Sequence, residues 1–247
     1  MKEKLIRIND FCTLNSKKIE NDIQKSKYRI TLILLYNKLC QIYKMNESIG
    51  IINTDVYSMS ILQRSQIEHY LIFFYAVTQL EKKKDDFVGI SYYFIYTQSE
   101  YLKQENYINK VSNIKNGTKF NYLDLLKIKF PNITQAEIDK VNSIGNVFSK
   151  LDVIAKRLME YSNENESEKK KIIVNVELLE FYNILSSYVH GGPYADNELT
   201  FNLSTIDALK NRVDKIISIS ETLTYAAFYL FFKILNSETN NKYKNYS

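Results

Sequence analysis

TDVYSMSILQRSQIEHYLIFFYAVTQL, residues 54–80, decides the fold class. Its apolar residues cover nearly every side of a helix, as in a helix buried at the centre of a bundle. The run from Tyr70 to Val77 is the greasiest part, with a second such run at Tyr225–Leu235. Both fall well short of the roughly 20 residues that span a bilayer, so they predict buried core helices and no membrane segment. Asn53 or Thr54 is placed to cap the start.

Outward from that helix, residues 16–46 predict one long helix with Ile19, Ile23, Ile30, Leu34, Tyr36 and Leu39 on a near-helical period. A helix over about 86–113, rich in Tyr and Phe, is expected to stop at Asn116-Gly117. Tyr122–Lys129 predicts a short helix ended by Pro131, and Thr134 with Glu137 forms a capping box for the next. Another helix is expected over about 150–162, before the charged NENESEKKK stretch at 163–171, which predicts an exposed loop. Asn175 starts a helix that ends at His190-Gly191-Gly192-Pro193, and Ser204 with Asp207 starts a final one reaching about Leu235. No alternating strand pattern is present. The expectation is an all-α, multi-helix bundle in a single domain over residues 1–236, with 237–247 as a flexible tail.

Composition agrees. The 247 residues include only 6 Gly and 2 Pro, too few for the turns of a sheet protein. The chain holds 28 Lys against 5 Arg, with 30 Ile, 25 Asn and 20 Tyr, the usage of an AT-rich genome. Against such a background an Arg or His carries more information than a Lys. The net charge of +5 comes from residues 1–50, which could steer the chain to phosphate-rich partners or simply form a solvated helix face. Cys12 and Cys40 form neither a zinc pattern nor a disulfide framework, so a reducing cytoplasm is the expected setting, with no metal and no cofactor.

Two constellations could carry chemistry. Arg64 and Glu68 are four apart on the most hydrophobic helix, above Leu71 and Tyr75 on the same face. A charge entering the core there needs a partner or a ligand; the plainer reading is an ion pair bracing the helix. Tyr182, Ser186 and His190 repeat every fourth residue and form a polar stripe that ends beside a glycine pair. A histidine there could move protons or merely satisfy the last carbonyls of the helix. No Walker loop, GxGxxG, HExxH, GxSxG or acidic metal cluster occurs.

Arg64-x-x-x-x-His69 resembles the signature of the HEPN superfamily, bacterial helical bundles that include many metal-independent ribonucleases. The R-S-x-x-E helix with a later Y-x-x-x-S-x-x-x-H helix is also similar to a group of bacterial helical proteins grouped with defence genes. The resemblance covers about 55–80 and 175–193. It implies that Arg64 holds phosphate and His69 assists attack by a ribose hydroxyl. It further implies a homodimer acting on RNA or a nucleotide as a toxin or phage-defence effector. The chain departs from the signature at Ser65, where a residue such as Asn or Asp is usual. Arg64 and His69 also lie about 140° apart round a regular helix. His190 is therefore the expected partner of Arg64, Glu68 and Ser186, with Tyr182 at the edge and His69 turned away. The other open reading is a non-catalytic module that binds a partner protein or a small phosphorylated ligand, for which abundant Tyr would suit the surface.

Overall fold

The stretch at 54–80 forms α4 (Val56–Lys83), started by Asp55, whose carboxylate accepts from the N–H groups of Tyr57 and Ser58. A carboxylate satisfies two orphan donors and suits the positive helix end, so it takes the cap in place of Asn53 or Thr54. The structure is a computed structural model describing residues 2–112, 122–164, 174–239 and 242–246, and among them every regular element is helical. The protein is an all-α bundle.

α3 (Arg29–Ile51) and α12 (Ile206–Glu238) pack against α4 as the central layer. Residues 70–78 of α4 are buried without a break, as are Ala226, Phe228, Phe231, Phe232 and Leu235 of α12. A polar contact pins this layer: Gln66 Nε2 donates to the Ile42 carbonyl and Thr224 Oγ1, each at 3.1 Å, and Gln66 Oε1 accepts from Gln63 at 3.0 Å.

The single helix expected over 16–46 is two, α2 (Ser16–Lys25) and α3, preceded by α1 (Lys2–Leu14). Ser26 breaks the run by bonding Glu238, and Asp86 caps α3 by accepting from the N–H groups of Ile30 and Thr31 at 2.9 and 2.7 Å. α3 also continues through the expected break at MNESIG to Ile51.

α5 (Phe87–Ser91) runs into a π turn (Tyr92–Tyr96) and then α6 (Thr97–Val111). The stop signal at Asn116-Gly117 lies outside the described residues. α7 (Tyr122–Lys129) and α8 (Gln135–Phe148), with its Thr134/Glu137 capping box, complete a second small core of Ile90, Ile95, Leu126, Ile138 and Val141. α9 (Leu151–Glu164) and α10 (Val176–Val189), capped by Asn175, pack against α4. Most of the charged stretch at 163–171 also lies outside the described residues. α11 (Pro193–Asn197) and a second π turn (Glu198–Asn202) lead to α12, which Thr205 caps in place of Ser204.

The closing segment, expected as a flexible tail, is anchored over its described part. Tyr243 is buried, its N–H bonds Asn236 Oδ1 at 2.6 Å, and its hydroxyl donates to Asp22 at 2.6 Å. Lys242 adds an ion pair to the same carboxylate. A polar-looking segment is held because its tyrosine supplies the apolar body and the bond.

Candidate functional site

α4 and α10 run antiparallel along a shared seam, which sets Arg64 opposite Ser186 and Glu68 opposite Tyr182. Arg64 Nη2 pairs with Glu68 Oε1 at 2.9 Å, with side-chain exposures of 17% and 28%. Arg64 Nη2 also donates to the Tyr182 hydroxyl at 3.1 Å, and Nε donates to Ser186 Oγ at 3.1 Å. The Tyr182 hydroxyl in turn donates to Glu68 Oε1 at 2.8 Å, and the Ser186 hydroxyl donates to the Tyr182 carbonyl at 3.0 Å. The guanidinium lies 5.1 Å from the centre of the Tyr182 ring. Burial, with the bond to Glu68 adding to it, pushes the Tyr182 hydroxyl up to about 12, so it stays a neutral donor. Three bonds fix the guanidinium plane, and among the described residues none is made by Nη1. That corner of the fork is free to meet an anion.

The other side of α4 carries a second group. His69 Nδ1 lies 2.9 Å from Nζ of Lys38 on α3. Lys38 is only 5% exposed and its ammonium sits 5.1 Å from the centre of the Tyr92 ring. Burial lowers Lys38 to about 8, opposed by the negative charge of Glu68. Burial also lowers His69 to about 4, with the Lys38 charge acting the same way. Near pH 7 the imidazole is therefore neutral and the ammonium charged. Since Lys38 can only donate when protonated, Nδ1 accepts and Nε2 carries the hydrogen.

The π turn helps place this group. Its extra residue per turn aims Tyr92 and Tyr96 at Phe148, at 5.2 and 6.0 Å between ring centres, and leaves Tyr92 under Lys38. Tyr93 accepts from Asn37 of α3 at 3.1 Å. Glu68 is the hinge between the two groups: it bonds Arg64 and Tyr182, and its charge acts on Lys38 and Tyr96. Among the described residues no group of three or more His, Cys, Asp or Glu is arranged to hold a metal ion.

Of the residues singled out in the sequence, Arg64, Glu68, Tyr182 and Ser186 come together. His190 does not join them. It is exposed at the end of α10, followed by Gly191 at φ 58°, and no hydrogen bond ties it to the cluster. The antiparallel register explains this: His190 is one turn beyond Ser186, where α10 runs out into solvent. His69 does face away from Arg64, and what it faces is Lys38. Lys38 and Tyr92 were missed. A lysine at position 38, among Leu34, Leu35, Leu39 and Ile42, was the available signal, since it interrupts a buried face. A buried ion pair between Arg212 and Glu198, with Tyr188 donating to Glu198 at 2.9 Å, also went unread, although arginine is scarce here.

Compared with protein-family models, curated proteins and solved structures, the chain matches none. No helix among the described residues is long and apolar enough to cross a membrane.

Proposed function

We propose that the protein is a metal-independent enzyme acting on RNA or a nucleotide, in the setting of a toxin or phage-defence effector. Arg64 grips the phosphate and Glu68, paired with it at 2.9 Å, takes the proton. The observation that carries this reading is the half-buried Arg64, held in plane by Glu68, Tyr182 and Ser186. In RNA cleavage the ribose 2′-oxygen attacks the adjacent phosphorus and the 5′-oxygen leaves. The 2′-hydroxyl proton goes to the Glu68 carboxylate. Water protonates the leaving oxygen, and Glu68 then returns its proton to solvent. Arg64 stabilises charge on the non-bridging oxygens. The resemblance to the HEPN signature supports the same assignment of Arg64.

The test is single-stranded RNA incubated with the protein in excess chelator. Cleavage leaving 2′,3′-cyclic phosphate and 5′-hydroxyl ends is expected. Arg64→Ala should lower the rate by about 10²-fold or more. Absence of any cleavage of RNA or nucleotides by the wild-type chain would reject the reading. A second reading is a non-catalytic module, favoured by the exposed Tyr101, Ile108 and Val111 on one face of α6. It predicts partner binding that survives Arg64→Ala.

A further inference from the structure

The α4–α10 seam does not end at Glu68 and Tyr182. One turn further along, Leu71 and Leu179 open into a cleft of about 550 Å³ whose third wall is α9, through Leu151, Ala155 and Met159. This volume lies within the range of small-molecule sites, roughly 300–1,000 Å³. Tyr182 belongs to both places: it lines the cleft while its hydroxyl is held between Arg64 and Glu68. Seven residues of helix separate Arg64 from Leu71, about 10 Å. Through Tyr182 one end of the cleft therefore adjoins the layer that holds the guanidinium.

We infer that this cleft is a nucleobase subsite, taking the flat base of a nucleotide whose phosphate meets Arg64. The inference rests on the phosphate-binding reading of Arg64 and names what lies beyond the phosphate. A base needs a fixed aromatic face, apolar walls and an edge of mixed donors and acceptors. The Tyr182 ring is fixed by its locked hydroxyl, and Leu71, Met159 and Leu179 supply the walls. Asn183, on the rim, carries a donor and an acceptor on one amide. An acyl chain would have no use for the amide, and a bare phosphate none for the walls.

Calorimetry on the full chain with AMP and ribose 5-phosphate tests this, because the two differ only by the base. AMP should bind at least about tenfold tighter. Leu179→Trp, which fills the cleft, and Asn183→Trp, which closes it from the exposed rim, should bring AMP down to the level of ribose 5-phosphate. Neither should alter ribose 5-phosphate itself. Arg64→Ala should weaken both ligands equally. Equal affinities on the wild-type chain, AMP binding untouched by both cleft variants, or no effect of Arg64→Ala would each overturn the inference. If the base-dependent pattern holds but RNA stays intact, the proposed reaction fails and the subsite stands.

Discussion

His69 has its pKa lowered by burial and by Lys38, so it enters the fold as a neutral ring. An unfolded histidine titrates near 6.5, and the folded one near 4. Between those values the unfolded chain binds the extra proton, so the stabilisation is complete above pH 6.5 and drains away as pH falls toward 4. The loss is on the order of 2 kcal/mol for a group of this burial. Urea unfolding at pH 7 and pH 4.5 should show it, and His69→Gln should shrink the difference between the two; an unchanged difference would mean that His69 titrates normally. The residues at this scale were unequally legible. Arg64 and Glu68 stood out because their spacing puts two charges above Leu71 and Tyr75. Tyr182 and Ser186 stood out through their fourfold spacing. Lys38 did not, because one lysine among 28 looks solvated until the fold buries it. That His190 stands outside the group was equally out of reach, since it depends on where α10 leaves the seam with α4.

Helices are the scale at which the sequence was most informative, and their breaks the least. The Thr134/Glu137 box and the Asn175 cap are local, and both occur where expected. The start of α3 is not local: Asp86, from the turn after α4, supplies its cap. α5 comes so close to α3 there that a Cβ on Gly89 would overlap the backbone of Ile30 and Thr31. The Gly89 N–H also bonds Thr31 Oγ1 at 3.0 Å. Gly89→Ala should therefore cost about 1–3 kcal/mol, although alanine is the better helix former. A urea midpoint equal to or above that of the wild-type chain would contradict the close approach. The π turn that follows had no signature in its aromatic sequence, because the widened turn is stabilised by tertiary contacts and by Thr97 Oγ1 donating to the Tyr92 carbonyl at 2.9 Å.

For the whole molecule, the centre was legible because α4 and α12 carry the longest apolar runs, whereas the anchored C-terminal segment was not. Its anchor, Tyr243 on Asp22, joins residues that are neighbours only after α12 has folded back along the bundle. α6 buries none of its residues, and Tyr101, Ile108 and Val111 share one exposed face. An antiparallel copy of α6 would set Glu100 near Lys110 of its partner, so twofold self-association through this helix is expected. Light scattering at micromolar concentration should give twice 29.1 kDa, and Ile108→Glu should return it to the single-chain mass. A wild-type chain already at the single-chain mass would exclude that dimer. The central claim is that the Arg64–Glu68 group acts without His190, and RNA cleavage rates of Glu68→Gln and His190→Ala at matched melting temperature test it most directly. The predicted result is a loss of about 10²-fold or more for Glu68→Gln and a wild-type rate for His190→Ala; a wild-type rate for Glu68→Gln with loss in His190→Ala would contradict it.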